Sequence, residues 1–146
     1  MTLIVDASGL YAQANAAEPH HDAVVAVLDA ERGPLITSEA AAQEADYLIG
    51  ARLGIDAELA FLDDLASATV EVVCLNPQER VTALALARRY RDLRLGLADL
   101  TLMVLASRFR TLRVLTYNQR HFRAVTPLTG GAFVVLPADG QMGPRP

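Results

Sequence analysis

Short apolar runs alternate along the chain with longer stretches in which apolar positions return every three or four residues. Thr2-Leu3-Ile4-Val5 predicts a first strand ending at Asp6, followed by helix-compatible sequence through Ala17. Between Pro19 and Glu31, the spacing of Ala23, Val24, Val27 and Leu28 predicts a helix, which Gly33-Pro34 ends before a second strand at Leu35-Ile36-Thr37. Ser38 is placed to cap a helix reaching Leu53, Gly54 stops it, and Asp56 can cap the next, to about Ala68. Glu71 to Leu75 reads as a third strand. Asn76-Pro77 opens a helix by the cap-then-proline rule, and it runs through Arg88-Arg89-Tyr90-Arg91. Leu97 to Phe109 is apolar nearly all round, the mark of a central buried helix. Arg113 to Thr116 and Ala132 to Leu136 are the fourth and fifth strands. Strands alternating with helices predict an α/β domain: a parallel central sheet of about five strands flanked by helices over residues 1–136. Residues 137–146, rich in Gly and Pro, read as a flexible C-terminal tail.

Composition narrows the classes. With 146 residues, 52% of them hydrophobic, the chain suffices for one core. No apolar stretch approaches the roughly 18 residues of a membrane span, and no secretory signal pattern opens the chain, so a cytoplasmic protein is expected. Cys74, the single cysteine, falls in the run Val70 to Leu75 and reads as a small buried strand residue, which removes disulfide and zinc chemistry together. A net charge of -4 argues against coating nucleic acid by bulk attraction, while leaving room for a local arginine patch beside an acidic site. All 13 basic residues are arginine. Every mechanism that needs a lysine ammonium is thereby excluded.

Three carboxylates stand where carboxylates are costly. Asp6 sits at the C-terminal end of the first strand, where parallel sheets place their ligand crevice; it can equally serve as the cap of the next helix. Glu44 has Ala40, Ala41, Tyr47 and Leu48 at helical spacing, so it is expected on the apolar face of its helix. Asp99 is surrounded in the same way by Leu95, Gly96, Leu102 and Met103; as a first-turn residue it also complements the helix dipole. Three inward-facing acids from three elements are reconciled by one shared cation. An oxygen donor set without His or Cys at ligand spacing points to Mg²⁺ or Mn²⁺. His20 and His21, at a loop-to-helix boundary, read as solvated residues.

The order Ile4-Val5-Asp6-Ala7-Ser8, Thr37-Ser38 followed by Glu44, Leu95-Gly96-Leu97-Ala98-Asp99 and Thr116-Tyr117-Asn118-Gln119-Arg120-His121-Phe122 resembles the VapC toxins, ribonucleases of the PIN-domain type. The resemblance covers residues 2–136. It implies a PIN fold, a homodimer, a VapB-type antitoxin that blocks the active site, and Mg²⁺- or Mn²⁺-dependent endoribonuclease action on a structured RNA such as a tRNA or ribosomal RNA. The products implied carry a 5′-phosphate and a 3′-hydroxyl. Asp6, Glu44 and Asp99 match the family's metal-binding acids. Ser8 and Thr116 are placed to support the site through their hydroxyls, and Arg120 and His121 to meet the RNA. The family's motif has an aspartate where this chain has Asn118, which offers a carbonyl oxygen but no charge, so a second cation is expected to be held weakly.

Rival acidic-site folds fail on specific positions. A receiver domain needs a lysine near its aspartate. A haloacid-dehalogenase-like phosphatase needs a lysine and a second aspartate two positions after the first, where Ser8 stands. A phosphate-binding loop needs a Gly-rich Lys-Ser/Thr motif. The remaining alternative is a PIN-fold protein that binds RNA or a partner and has lost turnover through Asn118.

Overall fold

The computed structural model describes residues 1–141. Five short strands, β1 (Leu3–Val5), β2 (Leu35–Ser38), β3 (Glu71–Val73), β4 (Arg113–Leu115) and β5 (Val134–Leu136), form one all-parallel sheet in the order β3-β2-β1-β4-β5. Seven α-helices cover it: α1 (Ala7–Ala14), α2 (His21–Ala30), α3 (Glu39–Leu53), α4 (Ile55–Ala66), α5 (Pro77–Arg89), α6 (Leu97–Arg108) and α7 (Gln119–Ala124). Parallel strands need crossovers, and the helices supply them while covering both faces of the sheet. The chain builds outward from β1 through β2 to β3, then returns to add β4 on the other side of β1. The strand order reverses between β1 and β4, where an open α/β sheet leaves a crevice at its carboxyl edge.

The central helix is as apolar in space as in sequence: every residue from Asp99 to Ala106 of α6 is buried, between the sheet and helices α3 and α5. Leu3, Ile4, Val5, Val114, Leu115 and Val135 fill the middle of the sheet with no exposed surface. Two helix starts follow their sequence signals. Ser38 Oγ accepts from Ala41 N (3.0 Å), and Asn76 with Glu79 closes a reciprocal capping box (2.8 and 2.9 Å).

Other expectations change. The helix after Asp6 stops at Ala14 rather than Ala17, because Asn15 takes an extended conformation and starts the turns that lead to α2. Asp56 caps nothing, since α4 begins at Ile55 directly after Gly54, whose φ of 91° favours glycine. Cys74 is exposed: β3 ends at Val73, and the cysteine falls just past the strand, between half-buried Val73 and buried Leu75. The six-residue α7 was not separable from its motif, being too short for a periodicity to show. Of the expected tail, Ala138–Gln141 forms a 3-10 turn in which Asp139 accepts from Val135 N and pairs with Arg123; 142–146 lie outside the described residues.

Candidate active site

The crevice between β1 and β4 opens into a pocket of about 270 Å³ lined by Asp6, Ser8, Glu44, Gly96, Asp99 and Asn118, together with apolar neighbours. Each polar group arrives by a separate local rule. Asp6 follows β1 and caps α1, its Oδ1 accepting from Ala7 N at 2.7 Å. Its Oδ2 accepts from Thr116 Oγ1, just past β4, at 2.7 Å and from Ser8 Oγ at 3.0 Å. The cap and the crevice readings of Asp6 therefore hold at once. Those hydroxyls are themselves fixed, because Tyr117 N donates to Ser8 Oγ (2.9 Å) and Asn118 N to Thr116 Oγ1 (2.9 Å). Burial pushes the Asp6 carboxyl above the ordinary aspartate range, and the nearby Asp99 charge adds to this. The bonds from Thr116, Ala7 and Ser8 oppose both without cancelling them.

Asp99 enters from the first turn of α6 and is 8% exposed. Its Oδ2 lies 2.7 Å from His121 Nδ1 and 3.3 Å from Asn118 Nδ2. A carboxylate can only accept, so His121 Nδ1 carries a proton toward it, and the 3.0 Å approach of Asn118 Nδ2 to the same ring nitrogen is a contact between donors.

Glu44 reaches the pocket by a different route from the one its helical neighbours suggest. The buried stripe of α3 is Ala41, Ala42, Ala45 and Ile49, while Tyr47, expected on the apolar face, is 73% exposed. Glu44 is itself exposed, on the border of the stripe, and still lines the pocket. Partial burial raises its carboxyl, and the charges of Asp6 and Asp99 raise it further, so the three acids feel one another. One tie of α3 to α6 is a contact absent from the sequence reading. Thr101 Oγ1 of α6 lies 2.8 Å from Ser38 Oγ at the start of α3, joining the helix of Asp99 to that of Glu44. The available signal was a threonine inside the most apolar segment.

Of the other expected residues, Thr116 and His121 bond directly to the acids, while Arg120 is exposed on α7 and does not line the pocket. Among the described residues no three His, Cys, Asp or Glu side chains are drawn together into a ready-made metal cage. The donor chemistry nevertheless suits a hard dication. Three carboxylates and an amide line the pocket, no cationic side chain lines it, and two of the acids are pushed up partly by their neighbours' charge.

Comparison with known proteins places this geometry. The PIN domain family model matches residues 3–126. Ribonuclease VapC26 of Mycobacterium tuberculosis is 42% identical over 135 residues, spanning 92% of this chain and all of the relative. Among solved structures, M. tuberculosis VapC20, described as a Sarcin-Ricin loop cleaving toxin, superimposes with a TM-score of 0.71 at 20% identity, covering 77% of this chain and 86% of its own. VapBC2 from Rickettsia felis, bound to a DNA fragment from its promoter, gives 0.63 at 16% identity, covering 82% and 90%. The five-stranded parallel sheet and the match over most of its length say the same thing: this chain belongs to the PIN domain family, as a ribonuclease of the VapC type.

Proposed function

We propose that this VapC-type ribonuclease is the toxin of a VapB–VapC pair and cleaves structured RNA, a tRNA or ribosomal RNA, with Asp6, Glu44 and Asp99 holding one Mg²⁺ or Mn²⁺. The observation that carries the reading is the meeting of these acids and Asn118 in one pocket at the strand-order reversal. When bound there, such an ion supplies acidification of a water and neutralisation of phosphate charge.

The chain's own groups do the rest. Thr116, Ser8 and the Ala7 amide hold the Asp6 carboxylate in place at the pocket wall. His121 of α7 bonds Asp99, and Asn118 contributes an uncharged amide where a further acid would add attraction for a second cation. Arg120, exposed and next to His121 in α7, is a cation available to the incoming phosphate backbone.

The partner reading rests on the surface. Tyr47, Ile55, Leu59, Val81 and Leu97 are each more than half exposed, which suits a protein that works covered by an antitoxin and by a second copy of itself. No helix among the described residues is long and apolar enough to cross a membrane, in keeping with action in the cytoplasm.

The test is cleavage of total tRNA and ribosomal RNA by purified protein with Mg²⁺, Mn²⁺ or EDTA, beside Asp99→Asn. Metal-dependent cleavage that Asp99→Asn abolishes while remaining folded supports the reading. Metal-dependent RNA binding without any cleavage favours the non-catalytic alternative, whose structural support is the Asn118 amide nitrogen turned toward Asp99.

A further inference from the structure

One aromatic pair beside the pocket is not used by the chemistry above. His20, in the turn between α1 and α2, stacks on Tyr117, which follows β4: the ring centroids are 4.0 Å apart and the planes 22° from parallel. The Tyr117 hydroxyl donates to the His20 carbonyl at 3.3 Å, closing the pair at its far end. Both rings are held from below. Tyr117 N donates to the same Ser8 hydroxyl that bonds Asp6, and the next residue, Asn118, lines the pocket. The turn carrying His20 is fixed by Glu18 N to Asn15 O (3.0 Å), His21 N to Glu18 O (2.9 Å) and His21 Nδ1 with Ala12 O (2.8 Å).

The orientation of the pair separates it from core packing. Phe122 and Phe133, both buried, meet edge to face at 87°, whereas His20 is exposed and Tyr117 half-buried. Tyr117 is therefore the floor of a short stack and His20 its outer layer. A preorganised stack with its outer ring in solvent, one residue from a phosphodiester-cleaving pocket, fits a particular ligand. An unpaired base, turned out of its own stack, can continue this one, as single-stranded RNA does on exposed aromatic side chains.

We propose that His20, backed by Tyr117, is a base-stacking platform that receives the unpaired base beside the scissile phosphodiester. The proposal rests on the ribonuclease reading and adds to it a requirement on the substrate. On the platform a purine, with the larger ring face, is preferred over a pyrimidine.

The experiment uses RNA hairpins that the protein cleaves, carrying 2-aminopurine at each loop position in turn, first with EDTA to read binding and then with metal to read cleavage. Wild-type protein is expected to quench the probe at one position adjacent to the cleaved bond. His20→Ala loses that quench and raises KM roughly five- to a hundred-fold with kcat little changed. His20→Trp restores the affinity, and the indole it introduces into a chain with no tryptophan loses emission on RNA binding. Wild-type KM in His20→Ala overturns the platform, even where its melting temperature falls, because the stack then serves only to pin the turn. A quenched position that His20→Ala leaves quenched overturns it too. Failure of the wild-type protein to cleave any RNA under any metal instead removes the ribonuclease reading on which the platform rests.

Discussion

At the scale of single residues, Asn118 decides how much the pocket can do. Its Nδ2 faces Asp99, so the amide lends hydrogen-bond donation to an acid rather than charge to a cation. Asn118→Asp adds a carboxylate beside Asp99 and His121. In a partly buried site, recovering even about 1.4 kcal/mol of transition-state stabilisation corresponds to tenfold in rate. The expected outcome is a rise in metal-dependent cleavage of about tenfold, with tighter Mn²⁺ binding by calorimetry. Equal rates and equal affinity in the two proteins mean that Asn118 is a bystander. Residues differ in how far the sequence exposes such roles. That Asp6 and Asp99 meet at one pocket was foreshadowed by an acid at a strand end and another inside an apolar helix, although each position also had a capping or helix-dipole explanation. The reading that put Glu44 on the apolar face of its helix put Tyr47 there as well; the packed stripe is Ala41, Ala42, Ala45 and Ile49, with Glu44 on its border and Tyr47 turned outward. Cys74 was misread because the apolar run continues past the strand, which stops one residue earlier at Val73.

At the scale of elements, the helices are placed by caps and by ties between helices, and Glu79 serves as both. Its carboxylate closes the capping box of α5 on Asn76 N and also takes Arg108 from the end of α6, whose guanidinium bonds the Cys74 carbonyl as well. The Arg108 hydrogen bond, more than the opposing burial, holds the Glu79 carboxyl below the ordinary glutamate range. A carboxyl whose folded pKa is depressed contributes stability that is fully present above its unfolded pKa, about 4.3, and is lost as pH falls through the folded value. Glu79→Ala is therefore expected to lower stability by about 1 kcal/mol at pH 7, from the lost cap and a partly exposed ion pair. The gap from wild type should narrow as the pH is taken below about 4 in parallel urea titrations. A gap independent of pH would assign the effect to the cap geometry alone. The cap at Asn76 was plain in sequence from Asn76-Pro77, but the part of Glu79 in it was not read, and Arg108 lies 29 positions from Glu79 with no periodicity to link them.

At the scale of the whole molecule, elements were legible and their neighbours were not. Alternating periodicities announce five strands and their intervening helices, yet nothing in them says that β4 returns to lie beside β1 rather than β3. That return makes the site, because it brings Thr116 and Asn118 to Asp6. The same convergence sets three acids against one another, so on the proposed reading, in which they share a cation, metal and stability are expected to be linked. A ligand that binds only the folded chain, at a hundred times its Kd, adds about 2.7 kcal/mol. For a chain of this length that corresponds to a rise of roughly 10 °C in melting temperature. Glu44 is the acid best suited to the control, since it is exposed and its removal leaves no cavity. Glu44→Gln keeps its shape and relieves repulsion on Asp6 and Asp99. In EDTA this variant should melt at or slightly above wild type; with saturating Mn²⁺ the order should reverse, wild type gaining most of the rise and the variant little. Thermal scans of both proteins with and without Mn²⁺ decide it. A wild-type melting temperature indifferent to Mn²⁺ would mean that the three carboxylates share a pocket but not a cation.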